Sequence, residues 1–304
     1  MPQVVNIECC FCKSSDVSLL YKQKYHKVKR NHGPVNFYKC NTCFSGFTFP
    51  LPSPQQLKEL YDSFEGGMDN FTRQIRNKNP LTKWFQNCIS EALKYSHTSY
   101  NTNDSFTWID IGAGDGELVK LMSQKFPNAK GIAVDFHKRP ENLKDCTNIT
   151  WIQCDLNEPD YYKKISISNF DIVFCITVLE HILKPYNFLD NLIKILGNGK
   201  ILYLTTPDFG SVTAKLLSSR WPYLTFGEHL NIPSKKGMKI LLQTLVKENN
   251  LEYKKQIFVA PTVLPYPLNY FLQYYRFNFL SKFFSNEITF NFPTGILKSG
   301  LITK

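Results

Sequence analysis

The chain has 304 residues, 43% of them hydrophobic, with a formal net charge of +11. It can bury a full core, and its length exceeds what one compact core usually holds, so a main domain of ~200 residues plus a smaller module is expected. No run approaches the ~18 uninterrupted apolar residues of a membrane span, and Met1-Pro2-Gln3-Val4-Val5 lacks the regions of a signal peptide; a cytoplasmic chain with reduced thiols is expected, which excludes a disulfide scaffold.

In chain order, the first features are Cys9-x-x-Cys12 and Cys40-x-x-Cys43. Two such knuckles can close four thiolates around zinc and leave no open position for chemistry, so a structural zinc is predicted. A piece of ~45 residues with few aliphatic side chains has no sufficient core of its own, which gives the metal its purpose. The glycines that usually follow such knuckles are Lys13 and Phe44 here, and Cys10 is spare. Residues 21–28 and 35–38 can pair as short strands. Cys88, Cys146, Cys154 and Cys175 have no ligand spacing and read as core thiols. Pro50, Pro52 and Pro54 then mark a stiff linker, giving residues 1–50 as the metal module. Residues 51–105 read as a linker and helical collar, with one helix opening at Ser53-Pro54 and another over residues 80–95.

From Thr107 short apolar runs (108–111, 131–134, 149–153, 171–176, 200–204 and 253–259) alternate with helical patterns such as 117–126 and 186–196. That alternation predicts an α/β domain over residues 106–304, with a doubly wound, mostly parallel sheet. Its ligand site should lie at the carboxyl ends of the strands. The strongest motif is there: Trp108-Ile-Asp-Ile-Gly-Ala-Gly-Asp-Gly-Glu117, a strand running into Gly112-x-Gly114-x-Gly116 and a helix. Glycines suit a sharp turn against which a ligand rests. Asp135 ends the next strand, 21 residues beyond Gly114, where a carboxylate can accept both ribose hydroxyls of an adenosine. NAD competes for this pattern, but its fingerprint is G-x-G-x-x-G, and Asp110 before the loop suits an ammonium rather than a pyrophosphate.

These residues resemble the first motif of the class I S-adenosylmethionine-dependent methyltransferases, acidic-x-Gly-x-Gly-x-Gly. The resemblance continues through Phe170-Asp-Ile-Val-Phe-Cys-Ile-Thr-Val-Leu-Glu-His-Ile182 and Leu196-Gly-Asn-Gly-Lys-Ile-Leu-Tyr-Leu-Thr-Thr-Pro-Asp208, over roughly residues 7–260. It points to the branch with an N-terminal zinc ribbon that acts in bacterial surface-glycan or deoxysugar pathways; the core alone is also similar to the quinone O-methyltransferases. The resemblance implies a Rossmann-like methyltransferase sheet preceded by a small zinc ribbon. It also implies that Asp110, Gly112, Gly114 and Gly116 hold the methionine part of S-adenosylmethionine, Asp135 its ribose, and Asp155 its adenine amino group.

Methyl transfer to a hydroxyl needs a general base, and histidine is the usual one. His229 lies in Arg220-Trp-Pro-Tyr-Leu-Thr-Phe-Gly-Glu-His-Leu-Asn231, which resembles the family's acceptor-side Trp…Glu-His-Leu segment. It is the first candidate for the base, with Glu228 orienting it. His181, with Glu180, falls at the end of the fourth core strand, near the methyl group. In the quinone enzymes the stretch Met-Glu-Val-Leu-Glu-His has been linked to a metal; Thr177 here replaces its first Glu. Tyr61 and Trp221 could line the acceptor pocket, although core packing is the commoner role for such aromatics. Residues 268–284 carry aromatics at helical spacing and are expected to form one helix, as core or dimer packing, a lid, or a membrane-surface contact; 287–292 and 295–303 are expected to supply the last antiparallel strands.

The charge excess sits at the two ends: 7 basic against 2 acidic residues in 1–50, and 6 against 2 in 251–304. Ligating thiolates offset part of the first, so charge alone argues poorly for nucleic acid. The expected reaction is O-methylation of a sugar, sugar nucleotide or glycan intermediate, phosphorylated or lipid-linked, with C-methylation as the near variant. The rivals are an RNA methyltransferase docking through its zinc ribbon, and a non-catalytic protein with a vestigial cofactor site.

Overall fold

A computed structural model of the chain describes residues 7–23, 35–62, 80–96, 98–165, 168–225, 227–259, 263–274, 277–285, 288–293 and 295–304. The N-terminal part is an antiparallel meander of β1 (Val17–Gln23), β2 (Val35–Cys40) and β3 (Gly46–Phe49). The first strand starts at Val17 rather than at residue 21, and residues 24–28 of the expected strand lie outside the described residues. Lys13 and Phe44 stand at φ 62° and 64°, so each knuckle takes the left-handed turn that glycine usually supplies.

Helix α1 (Pro54–Asp62) opens with a reciprocal cap: the Gln56 N–H donates to Ser53 Oγ (3.2 Å) and the Ser53 N–H to Gln56 Oε1 (2.8 Å). The collar helix α2 (Pro80–Tyr95) follows. The main domain alternates β4 (Thr107–Ile111), α3 (Glu117–Lys125), β5 (Lys130–Asp135), β6 (Ile149–Gln153), β7 (Phe170–Ile176), α4 (Pro185–Ile195) and β8 (Leu196–Pro207). Then come α5 (Val212–Leu217), β9 (Asn231–Ile232), α6 (Lys235–Glu248), β10 (Tyr253–Val259), β11 (Val263–Pro267), α7 (Leu268–Tyr274), α8 (Asn278–Ser281), β12 (Thr289–Pro293) and β13 (Ile296–Thr303).

The seven-stranded sheet has the order β10-β13-β8-β7-β4-β5-β6. Pairing is parallel from β8 to β6, and β13 runs antiparallel between β8 and β10. Both faces are covered, which is why the strands read as continuous apolar runs rather than alternating ones. Ile109, Ile111, Val134, Val173 and Leu204 face α4, α6 and the cysteine module. Trp108, Ala133, Ile172, Phe174 and Tyr203 face α2 and α3. The chain leaves β4 for β5 and β6 on one side and returns to β7 on the other, so the switch point, the place where such sheets bind ligands, lies between β4 and β7.

One expectation for the C-terminal part is corrected. The stretch 268–284 is two short helices, because the Phe277 N–H turns back to the Leu272 carbonyl (2.7 Å) and breaks the helical path. The last two strands are antiparallel as expected, Thr289–Pro293 with β11 in a separate ribbon and Ile296–Thr303 within the main sheet. Phe279 and Phe283, at 72% and 68% exposure, pack on each other with ring centroids 5.2 Å apart.

Candidate active site

The glycine loop leaves β4 with Gly112, Gly114 and Gly116 at φ 77°, 56° and 77°. The three glycines serve different ends. A Cβ on Gly112 would stand 2.3 Å from Val178, and one on Gly116 would stand 2.6 Å from Leu143, so these two are required by packing inside the protein. A Cβ on Gly114 would meet nothing within 4 Å; this is the loop position whose backbone faces open space.

Asp135 points at that loop. Its Oδ2 accepts the Gly114 N–H (2.7 Å), and its Oδ1 accepts the His137 N–H (2.9 Å). Asp155 lies half-buried in the turn after β6, where its Oδ1 accepts the Asn157 N–H (2.8 Å); the Cys154 N–H joins this turn to the Asp135 carbonyl. Asp110 is the outlier. It is 2% exposed, and its Oδ1 is buried without a hydrogen-bond partner among the described residues. Burial, aided by the nearby Asp135 charge, pushes its carboxyl up to about 8.

Across β7 lies the second cluster. Thr177 leaves the strand at φ 54°, a strained conformation for a β-branched residue, and the turn Leu179–His181 follows. Oxygen or nitrogen atoms of Glu180, His181 and His229 all lie within 4.8 Å of one another. The two imidazoles meet edge to face, centroids 4.7 Å apart. Nδ1 of His229 faces the Tyr223 carbonyl (2.6 Å), and Nδ1 of His181 faces the Glu228 carbonyl (3.1 Å). A carbonyl only accepts, so each neutral ring carries its proton on Nδ1 and its lone pair on Nε2.

The carbonyl of Tyr223 faces His229 Nδ1, and the main-chain carbonyl of Glu228 faces His181 Nδ1. The acid buried beside His229 is Glu180, 1% exposed, whose Oε2 accepts the Thr206 hydroxyl (2.9 Å). Burial pushes Glu180 up to about 6, with His229 opposing the rise. Desolvation and the neighbouring His229 push His181 down to about 3. Trp221 is 1% exposed and packs with Phe37, Leu224 and Ile232, a core position; the side chain of Tyr61 lies outside the described residues.

The sulfurs of Cys9, Cys12, Cys40 and Cys43 lie within 4.8 Å of one another, with Cys9–Cys43 and Cys12–Cys40 each at 3.5 Å. A zinc tetrathiolate has sulfur–sulfur edges of roughly 3.8 Å, given Zn–S bonds of about 2.3 Å. The donor set and its spacing fit a structural zinc, and Cys10 stands outside the quartet.

A family model described as a methyltransferase domain matches residues 73–252, more than half of the chain. The chain belongs to that methyltransferase family. The methyltransferase is 23% identical over 163 residues to the ubiquinone biosynthesis O-methyltransferases of Psychrobacter cryohalolentis and Psychrobacter arcticus, a stretch of 49% of this chain. That stretch is 62% of those enzymes, so the match spans less than two thirds of their length. The plantazolicin methyltransferase BamL, solved with a triazolic desmethylPZN analog and SAH, superposes with a TM-score of 0.50 at 14% identity, over 83% of this chain and 91% of BamL. The likeness is one of fold, the Rossmann-like methyltransferase sheet.

The crevice of the methyltransferase fits S-adenosylmethionine on its own chemistry. An orphaned, desolvated carboxyl oxygen on Asp110 suits an ammonium, whose charge the ionised form would balance. Gly114 offers bare backbone toward open space, and Asp135 retains lone pairs for hydroxyl donors beside it.

Proposed function

We propose that the protein is an S-adenosylmethionine-dependent methyltransferase that O-methylates a sugar, sugar nucleotide or glycan intermediate, with His229 as general base. The observation that carries it is the pairing of two half-sites across neighbouring strands: the orphaned Asp110 carboxylate at the end of β4, and the histidine cluster after β7. In this reading residues 1–50 are a zinc module, 51–105 a linker and collar, and 106–304 the catalytic domain.

S-adenosylmethionine supplies an electrophilic methyl group when bound. Asp110 holds its ammonium, Gly114 its chain, Asp135 its ribose and Asp155 the adenine edge. His229 carries its lone pair on Nε2 because the Tyr223 carbonyl fixes the other nitrogen, which is the form that accepts a hydroxyl proton. Glu180, buried alongside, offsets the positive charge this creates. His181 stays neutral near pH 7 and serves as a hydrogen-bonding wall.

The sugar acceptor is supported by the likeness of the zinc module and the Trp…Glu-His-Leu segment to the glycan branch. A phenolic hydroxyl is the second reading, favoured by the match to the ubiquinone enzymes. Methyl transfer from labelled S-adenosylmethionine to a panel of sugar nucleotides and of catechols decides between them. Turnover on catechols alone sinks the sugar assignment, and absence of cofactor binding by calorimetry sinks the enzymatic one.

A further inference from the structure

We propose that the cysteine module is part of the acceptor machinery: through Cys10 and Asn231 it holds His229 in place, so that zinc in the module sets the position of the base. The inference rests on His229 acting as that base.

The module does not end at its own third strand. Its sheet is completed by β9, with Gly46 opposite Ile232 and Phe47 opposite Asn231, and the Thr48 N–H donates to the Leu230 carbonyl (2.7 Å). The first residue after His229 is thus hydrogen-bonded to the module, and the second and third are its strand partners. Cys10 reaches the same place by its side chain: its thiol donates to Asn231 Oδ1 (3.1 Å). Asn231 is 2% exposed, and its Nδ2 donates onward to the Ile182 carbonyl (2.6 Å), next to His181. One buried amide therefore bridges the knuckle to the turn that carries Glu180 and His181. The Leu230 N–H closes the far side on the Glu180 carbonyl (2.6 Å).

The grip extends past β9. Ser234 caps α6 by accepting the Gly237 N–H (3.0 Å), while its hydroxyl donates to the Cys43 carbonyl and its N–H to Ser45 Oγ (2.9 Å). Gly237 sits so close that a Cβ there would stand 2.1 Å from Ser45 Oγ and 3.3 Å from Cys43 Sγ. Residues 230–237 are therefore packed onto the metal knuckle, and His229 is the residue at which that grip begins. A merely stabilising zinc ribbon has no need to share its sheet with the acceptor loop.

Asp110, Gly114 and Asp135 stand on β4 and β5, and none of the hydrogen bonds of this path ends on them. Slackening the tether should thus lower turnover while sparing cofactor affinity. A displacement of about 1 Å at a catalytic group costs about 10²-fold in rate.

The test uses the whole zinc-loaded chain and five variants, Cys10→Ala, Cys10→Ser, Asn231→Ala, Cys12→Ser and His229→Asn. Zinc content, calorimetric affinity for S-adenosylmethionine, amide hydrogen exchange over residues 228–232, and kcat are measured for each. Asn231→Ala is expected to keep its zinc and its cofactor affinity, to exchange faster at 228–232, and to lose about 10²-fold in kcat. Cys10→Ala follows in the same direction with a smaller loss. Cys10→Ser stays near the parent, because a hydroxyl still donates to Asn231. Cys12→Ser loses zinc and reproduces the faster exchange; should it fail to fold, Asn231→Ala carries the test alone. Unchanged exchange at 228–232 in Asn231→Ala overturns the proposal, as does an equal loss of cofactor affinity. If Asn231→Ala loosens the loop while His229→Asn keeps full turnover, the tether stands and the base assignment falls.

Discussion

Asp110 is the penultimate residue of β4 and Glu180 follows the adjacent β7, yet the two halves of the site are built differently. The cofactor half is local: Asp110, Gly112, Gly114 and Gly116 lie within seven consecutive residues, and Asp135 is joined to them by one strand pairing. The acceptor half is assembled from three distant segments, the turn 179–181, the loop 221–232 and the cysteine module, and main-chain carbonyls hold its histidines. A local site depends on backbone shape. An assembled site depends on every tether that reaches it.

The largest expected effect separates the halves by chemistry. His229→Asn should lower kcat by about 10²–10⁴-fold, the usual span for a lost general base, and leave calorimetric cofactor affinity intact. A parallel loss of affinity would merge the two halves into one. Asp110→Asn should do the reverse: cofactor affinity falls by about 10²-fold, within the roughly 2–5 kcal/mol of a truncated buried charge pair. An unchanged affinity would remove Asp110 from the cofactor half.

Two glycines of one loop sharpen the division further. Gly112→Ala places a Cβ against Val178 and should lower the melting temperature, at a cost of about 1–3 kcal/mol of overpacking. Gly114→Ala meets no protein atom, so its conformational strain is the lesser part; its main loss should appear in cofactor affinity. Equal thermal losses with equal affinities would show that the loop is only a packed turn.

How much of this was legible from the sequence follows the same line. Strand-by-strand the parallel sheet was readable, because runs buried on both faces are continuous and the glycine loop needs contiguous residues. Asp135 was readable because a fixed strand–helix–strand length carries it to the loop. The nearness of Glu180 to His229 was not, since it joins residues 49 apart through a fold-level crossing, whereas Glu228 is the neighbour in sequence. Nor was β9 legible. Two residues carry no periodicity, and their strand partners lie some 185 residues upstream. The aromatic stretch 268–284 misled for another reason: spacing describes a face but not the break at Phe277. Cys10 could have been singled out, as the one cysteine beside a knuckle with no ligand to bind.

The last expected effect concerns pH, where the halves should have opposite signs. Asp110 is held up to about 8 when folded, against an ordinary 3.8, so between those values the folded cofactor-free chain binds a proton that the unfolded chain has lost. Its contribution to stability is therefore complete at low pH and lost as pH rises from about 4 to about 8. His181 is held down to about 3, against an ordinary 6.5, so the unfolded chain binds the extra proton. Its contribution is present above 6.5 and lost as pH falls toward 3. Melting curves of the cofactor-free protein from pH 4 to 8 should show Asp110→Asn gaining on the parent toward pH 8, and His181→Asn gaining toward pH 4. Cofactor binding adds a check of its own, because an ammonium beside Asp110 drives its proton off. Near pH 7, calorimetry in buffers of different ionisation enthalpy should then register proton release in the parent and none in Asp110→Asn. Equal heats in every buffer would mean that the Asp110 carboxylate is already charged before the cofactor arrives, and the contrast between a desolvated cofactor half and a tethered acceptor half would lose its electrostatic side.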